Sequence, residues 1–445
     1  MPEPKAGAKG EATLYRSLAG AGAGAAGATL AELRAQAQAA YERLELPTWR
    51  RSGFWRTSLE ALDLDALAPR EGTSGATASI DTEGCAGSIV QRDSTVVSVE
   101  LRTELAEQGV LFCPLEQAAT DHTELFERHY MRRLTLDRDK LEAASAAFWS
   151  GGAFLYVPAG LRIEEPFQVS YEVDAAASAQ YAHTLAIGER GSDWRLRQLG
   201  NADGIEGQAL HAGALELYLH DGARARLATL ADWGGGEVHD VSTAVVEVGR
   251  DAFCHWQPLL LGGHLIRHHD ELVVAESGGD CEFRGIFFTE ADEHLDVFAV
   301  ELHEAGPSGG DVHWRGAASG HSLASFEGLL QIQPGAQKTH TYLQIHTMLL
   351  SEAAKLDAIP SVLVCADDVS ASHGGTVGEL DESLIFYMQS RGLTRPQAVK
   401  VIVEGFFEPL IMQLDDPVLE ALVRERIASK LAAAADDVER FALAR

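Results

Sequence analysis

The sequence predicts a mostly β chain: a β-solenoid core of stacked coils between helical regions at both ends. Three observations carry this expectation. The central half has the texture of strand after strand, an internal repeat recurs about every thirty residues, and helix start and stop signals gather at the two ends.

Taken in order, residues 1–150 read as a mostly helical region, with 1–12 expected to be a disordered leader. Ala and Gly dominate Leu18 to Ala40, which turns helical around TLAELRAQAQAAYERL with Thr29 as N-cap. Pro47 interrupts it, and LPTWRRSGFWRTSLEALDLDAL mixes aromatic and basic residues. Further helix is expected between Leu115 and Trp149, with Asp121 and Thr135 as start signals.

The texture changes at Gly151. Alternating runs such as AFLYVP, ALELYLH and STAVVEV follow one another between Gly-rich or Asp-rich turns, and the core is assigned to 151–378. GGDCEFRG (Gly278 to Gly285) recurs as GGDVHWRG (Gly309 to Gly316), 31 residues later. Gly222, Gly249, Gly279, Gly309 and Gly335 mark turns at steps of 27, 30, 30 and 26. That period is too short for a domain and suits one coil that cannot bury its own apolar face. Tyr218, Trp256, Phe283, Trp314 and Tyr342 follow the turns at similar offsets, as a core or edge ladder would. The alternative is an antiparallel sandwich with evenly spaced hairpins.

Residues 379–445 return to helix. Asp381 opens ESLIFYMQSRG, with Leu384, Ile385 and Met388 at helical spacing and Gly392 as the stop. Thr394 to Gln397 reads as a capping box with Pro396 in the first turn. The helix it starts carries an apolar face through Val399, Ile402, Val403, Phe406 and Leu410, and is expected to kink or end near Pro409. A last helix begins near Pro417.

Charge and cysteine usage narrow the function classes. Lys plus Arg is 36 against 66 Asp plus Glu, a net charge of −30 over 445 residues. Such acidity argues against nucleic acid and against an anionic membrane surface, both of which recruit Lys and Arg. No apolar run is long enough to span a bilayer, and the N-terminus lacks a signal-peptide pattern. Five cysteines with no C-x-x-C spacing argue against a disulfide framework and a structural zinc site, so a soluble cytoplasmic chain is expected.

No P-loop or H-E-x-x-H is present, and the G-x-G run at Gly20 to Gly27 precedes no strand. Fourteen of the 17 histidines lie between His211 and His373. The cluster His264, His268, His269, Asp270 and Glu271 invites a metal reading, although the H-x-H spacing of a cupin-like site is missing. In a strand, His268 would share a face with His264, while His269 and Glu271 would share the other. A metalloenzyme using His264, His268 and Glu271 is therefore the competing hypothesis. Acidic pairs (Asp240 with Glu247, Glu301 with Glu304) offer a weaker glycosidase alternative.

The most unusual composition lies at the junction of core and C-terminal helices. Ser372 to Gly392, SHGGTVGELDESLIFYMQSRG, resembles the signature of the SufB/SufD family of iron–sulfur cluster assembly proteins, and is closer to its SufD branch. Other pieces agree in order. They are Pro47 with Trp55-Arg56-Thr57, GGAFLYVPAG with Pro166, FEGLLQIQPGAQKT (Phe326 to Thr339) and MLLSEAAKLDAIP (Met348 to Pro360). The resemblance spans about residues 47 to 412. Within it, Gly375 replaces the usual Ala, and Cys365 stands at the Tyr position of the family's L-E-I-Y-A-D-D-V run.

The resemblance implies a right-handed parallel β-helix and a non-enzymatic scaffold subunit of a SUF assembly complex. It implies pairing with a SufB-like subunit through the C-terminal end of the β-helix, and docking of a SufC-like ATPase on the C-terminal helices. Thr394, Val399, Ile402, Val403, Phe406 and Leu410 are the expected contacts for the ATPase. His373, within the motif residues Ser372, Gly374, Thr376 and Gly378, matches the histidine the family places at the cluster-building interface. Cys365, eight residues earlier, is a second candidate donor. No cofactor is expected to stay tightly bound to the isolated chain, and iron or a cluster would reside only transiently in the complex. Whether the isolated chain forms a homodimer stays open.

Overall fold

The computed structural model describes residues 29–46, 57–72, 80–136, 138–202, 204–234 and 236–435. The leader 1–12, the Gly20 to Gly27 run, and Pro47, Trp55 and Arg56 lie outside the described residues. The first described helix, α1 (Leu30–Arg43), starts at the expected N-cap. Thr29 accepts from the Glu32 amide, and Glu32 returns the bond to the Thr29 amide.

Strands β1 (Gly87–Arg92) and β2 (Thr95–Leu101) come next, then α2 (Thr103–Glu107), β3 (Leu111–Cys113), α3 (Leu115–Asp121), α4 (Thr123–His129) and α5 (Lys140–Phe148). The core continues with β4 (Ala153–Val157), β5 (Phe167–Val173), β6 (Ala179–Gly188), β7 (Asp193–Ala202), β8 (Gln208–Leu219), β9 (Arg224–Asp232), β10 (Glu237–Val248) and β11 (Phe253–Gly262). It ends with β12 (Leu265–Val274), β13 (Asp280–Thr289), β14 (His294–His303), β15 (Ser308–Ala318), β16 (Leu323–Ile332), β17 (Thr339–Leu349), β18 (Lys355–Val364) and β19 (Ser370–Glu379). Three helices close the chain: α6 (Glu382–Ser390), α7 (Arg395–Ile411) and α8 (Pro417–Ala433).

From β4 onward consecutive strands alternate between two sheets. Odd strands form a 10-stranded sheet, β19-β17-β15-β13-β11-β9-β7-β5-β1-β2, and even strands a 9-stranded sheet, β18-β16-β14-β12-β10-β8-β6-β4-β3. Apart from the β1/β2 and β3/β4 pairs every pairing is parallel, which makes a β-solenoid of about eight turns and excludes the antiparallel sandwich. Each strand meets its partner about thirty residues on, Leu265 opposite His294 and Ser308 opposite Thr339. Corners stack as well: the amide of Gly191 bonds the carbonyl of Asp221, and that of Gly222 the carbonyl of Arg250.

Strands β1 and β2 fall inside the stretch predicted to be mostly helical. Their runs GSIVQR and TVVSVEL are β-branched and short, and β1 pairs in parallel with β5 and antiparallel with β2, extending the solenoid sheet back to Gly87. Of the expected helix starts between Leu115 and Trp149, neither Asp121 nor Thr135 is used: Asp139 caps α5, accepting from the amides of Leu141 and Glu142. Helix α7 runs through Pro409 to Ile411. Gly392 terminates α6 at φ 97°, beyond the reach of most side chains.

The two copies of the octapeptide do not lie in register. Phe283 is opposite Val312 and Gly285 opposite Trp314, so the second copy is displaced by two residues relative to the first. Side chains alternate with period two, so this offset keeps every residue on its face while setting each large ring against a glycine. A Cβ on Gly285 would come within 2.1 Å of Trp314, and one on Gly316 within 1.9 Å of Phe287. Gly309, expected in a turn, thus lies inside β15. Trp256 and Phe283 stack with centroids 4.7 Å apart, and Phe283 meets Trp314 edge-on at 5.6 Å. Tyr218 lies in the other sheet, on β8, so the ladder is shorter than its sequence spacing suggests.

Three apolar layers result. The lumen holds Leu217, Val246, Leu272, Trp256, Phe283 and their neighbours. Helices α1 and α5 cover the outer face of the even sheet through Leu33, Ala37, Leu141, Tyr181 and Val245. Helices α7 and α8 cover the odd sheet, where Val403, Phe407, Leu419 and Val423 pack on Leu259, Ile286 and Phe288. Each fully buried Leu, Val or Phe contributes roughly 1.5–3 kcal/mol to that seam. Lys430 of α8, fully buried, adds ion pairs to Glu290 at 3.2 Å and Glu293 at 2.8 Å on the β13–β14 turn. No helix among the described residues is long and apolar enough to cross a membrane.

Two outcomes test this packing. Gly316→Val is expected to lower the stability of the chain by about 1–3 kcal/mol or more, because no rotamer clears Phe287; an unchanged denaturant midpoint would contradict the staggered register. Lys430→Ala is expected to cost about 1–3 kcal/mol by leaving two partly buried carboxylates without their cation. Adding Glu290→Gln and Glu293→Gln should recover part of that loss in the same unfolding experiment.

Candidate functional site at the open end of the solenoid

Strand β19 is the last rung of the odd sheet and pairs with β17 alone. Its register sets Ala371, His373, Gly375 and Val377 against Thr341, Leu343, Ile345 and Thr347. Leu343 and Ile345 belong to the lumenal core, so His373 occupies an inward-facing position. No coil follows, and His373 is nevertheless exposed, with Ser372, Thr376 and Gly378 exposed around it. Small residues keep the rim low: a Cβ on Gly375 would touch Pro360 at 3.2 Å, and one on Gly374 the Tyr342 hydroxyl at 3.5 Å. The His373 ring makes no hydrogen bond among the described residues. The S-H-G-G-T-V-G part of the motif therefore lies along one edge strand, presented to solvent.

Cys365 does not share a strand with His373. It follows the end of β18, its amide donating to the Ile332 carbonyl at 2.8 Å, and residues 366–369 turn the chain before β19 begins. Its thiol is exposed, whereas Cys85, Cys113, Cys254 and Cys281 are buried, and all five are free. Burial pushes the Cys113 thiol up to about 11, so it is protonated and inert as a ligand at neutral pH. The accessible imidazole and the accessible thiol thus lie at the same end of the molecule, on either side of one turn.

The histidine cluster is dispersed into three environments. His264 is exposed on the turn between β11 and β12 and packs on the His239 ring at 5.1 Å. His268 points into the lumen, its Nε2 3.0 Å from Asp240 Oδ2. His269 and Glu271 face outward, 2.7 Å apart, beneath the start of α5. The alternation read from the sequence holds for the strand residues, and for that reason the proposed metal set of His264, His268 and Glu271 cannot converge. No group of three or more His, Cys, Asp or Glu among the described residues is placed to hold a metal. Nor do the acidic pairs meet: Asp240 is lumenal, and Glu247 and Glu304 bind Arg133 on the outside.

What His269 and Glu271 do instead is dock the N-terminal helices. Arg138 reaches Glu271 at 3.2 Å and the Thr243 hydroxyl at 2.8 Å, and Arg267 pairs with Asp139 at 2.5 Å. Burial, with the Arg138 charge beside it, lowers His269 to about 4, so it serves as a neutral partner at pH 7. Burial also pushes Glu142 up to about 7 despite Arg138. Thr57, from the N-terminal family run, is fully buried, and its hydroxyl donates to Asp296 of β14. Nothing in the spacing of these residues announces the cluster, because its members come from separate segments.

The expected ATPase contacts on α7 are mostly consumed within the chain. Val399, Val403 and Leu410 are buried against the odd sheet, Ile402 and Phe406 are partly covered there, and Thr394 caps the helix. The Arg315 guanidinium donates to the Phe406 carbonyl and lies 5.3 Å from its ring. An apolar helix face in a sequence fits a partner protein and the chain's own sheet equally well, and here the sheet has it. Among the described residues of the C-terminal helices, the large apolar groups in solvent are Leu384, Phe386 and Tyr387 on α6, Val401 on α7, Met412 after it and Val418 on α8, with Phe386 73% exposed.

Comparison with known proteins agrees with this architecture. The profile of the SUF system FeS cluster assembly SufBD core domain matches residues 171–406, and that of the SufBD protein N-terminal region matches 87–169. The boundary of the second coincides with the start of β1. An iron-sulfur cluster assembly SufBD family protein of Pyrococcus horikoshii is 28% identical over 340 residues, covering 75% of this chain and 74% of that protein. Similar proteins of Staphylococcus epidermidis and Staphylococcus aureus are each 25% identical over 329 residues, 74% of this chain and 70% of theirs. With the core profile spanning more than half its length and seated on the solenoid strands, the chain belongs to the SufBD family of iron–sulfur cluster assembly proteins.

Proposed function

We propose that the chain is the SufD-type subunit of a cytoplasmic SUF complex: a non-enzymatic scaffold that pairs with a SufB-type subunit and carries a SufC-type ATPase. One observation supports this most strongly. The terminal strand that bears the S-H-G-G-T-V-G run holds inward-register residues in solvent, and among the described residues no strand lies beside its outer edge. An open parallel edge of that length invites either a cap or a partner.

Iron with sulfide favours thiolate and imidazole over carboxylate donors. His373 supplies an imidazole at the rim, and a partner thiolate placed opposite would complete a site that exists only in the complex. Iron and the growing cluster are cargo in this scheme. Cys365, an exposed thiol at the same end, is the second donor this chain can offer. The ATPase would dock on the solvent-facing apolar groups of α6 and its surroundings, and its nucleotide-driven movement would reach the rim through the α6–β19 junction.

Deleting 394–445 would strip Val403, Phe407, Leu419 and Val423 from the odd sheet, so point variants make the better test. Phe386→Asp with Tyr387→Asp is expected to abolish co-purification with a SufC-type ATPase while leaving the melting temperature unchanged; retained binding would move the docking surface elsewhere. His373→Ala, at an exposed position, is expected to change stability by less than about 0.5 kcal/mol and to block cluster delivery from the complex to an apoprotein. Undiminished delivery would remove His373 from the mechanism, and Cys365→Ser in the same assay separates the thiol from the imidazole.

A further inference from the structure

The lumen is apolar over most of its length, but across β7, β8, β10 and β12 it encloses a polar chamber of about 40 Å³. Tyr171, Gln198, His211, Asp240, His268 and Asp270 line it. A water needs roughly 10–15 Å³ of such volume, so the chamber has room for a small ion with one or two waters. Glycines help make the room: a Cβ on Gly213 would lie 2.6 Å from both His211 Nε2 and Ser242 Oγ.

Most of the lining is already satisfied. Asp240 accepts from Trp233 Nε1 at 2.7 Å, Ser242 Oγ at 2.5 Å and His268 Nε2 at 3.0 Å. His211 Nδ1 is 2.7 Å from Gln180 Oε1, and the Tyr171 hydroxyl is 2.7 Å from that of Thr184. Of the atoms on the lining residues, two buried ones have no hydrogen-bond partner among the described residues, Asp270 Oδ2 and Gln198 Oε1. Asp270 is 2% exposed, and the nearest cationic group, His268 Nδ1, lies 3.9 Å from its Oδ2. Both orphan atoms are acceptors, so an occupant that satisfies them is a donor or a cation.

Charge narrows the choice. The titratable groups facing the chamber are Tyr171, His211, Asp240, His268 and Asp270. Burial lowers His211 to about 4 and leaves it neutral. Burial opposes charge on His268, but Asp240 and then Asp270 outweigh it and raise the imidazole above its ordinary range. Two carboxylates face this one imidazole, so the chamber carries net negative charge whenever both are ionised. Both His268 nitrogens face carboxylates and His211 Nδ1 donates to Gln180 Oε1, which leaves His211 Nε2 as the one nitrogen acceptor among the chamber's oxygens, too few nitrogens for a soft-metal set. A divalent ion would call for more carboxylates than remain.

We propose that the chamber binds one monovalent cation (sodium, potassium or ammonium) at Asp270, with the water bound to that ion donating toward Gln198 Oε1, so that the occupant links coils of the solenoid from within. Burial pushes the Asp270 carboxyl up to about 6, partly offset by His268, so proton and cation compete for it. The cation then matters above that pH and loses its hold below it.

The test is thermal unfolding of the full chain in sodium, potassium or ammonium chloride against choline chloride at equal ionic strength. At pH 8 at least one small cation is expected to raise the melting temperature by several degrees, saturably. The gain should vanish at pH 5 and in Asp270→Asn. Equal melting temperatures in choline and all three salts would show that the chamber holds only water and overturn the proposal, as would an undiminished cation effect in Asp270→Asn. Should that variant fail to fold, sodium NMR line broadening by the unaltered chain, reversed by excess potassium or ammonium, reads the same site; absence of broadening together with equal melting temperatures overturns the proposal.

Discussion

Parallel, near-in-register stacking of coils is the constraint on which the rest of this molecule depends. Each inward residue must fit the inward residue one coil earlier and one coil later, so the chain is read as columns as much as as a line. The two-residue displacement of the octapeptide shows how tightly that rule acts. A displacement of one would turn Trp314 and Phe287 out of the lumen, whereas two preserves the face and lets a ring lie over a glycine. The same rule decides where helices can go. Outer faces left apolar by the alternation are covered by α1 and α5 on one sheet and by α7 and α8 on the other.

Stacking also sorts the ionisable groups. On β12, successive residues Arg267, His268, His269, Asp270 and Glu271 alternate between an ionic seam under α5 and a polar chamber in the lumen. A run that looks like one metal site along the chain is two unrelated structures in space. The solenoid ends where the stacking ends, and its last rung shows inward-register side chains to solvent, the motif histidine among them. The feature that relates the chain to its family is thus also where the fold is least finished.

Much of this was legible because it is local or periodic. Thr29, Asp381 and Thr394 carry cap chemistry that needs no tertiary context, and the alternation of β10 and β12 assigns faces directly. The repeat steps of 27, 30, 30 and 26 residues reflect coil length even though Gly309 is not in a turn. Other features depend on what lies opposite. The apolar stripe of α7 carries no mark saying whether a sheet or another protein covers it. Strands β1 and β2 are too short to stand out until β5 is beside them. The seam around Arg138, Asp139, Arg267 and Glu271 joins residues whose proximity only the fold creates.

The account stands or falls on whether the open end is where a second subunit binds. Hydrogen exchange of backbone amides, with and without a SufB-type partner, tests this most directly. Slowed exchange concentrated in Lys355–Val364 and Ser370–Glu379 on complex formation is the result the account requires. A complex that forms while those two edge strands exchange as fast as before, with protection appearing elsewhere, would contradict it.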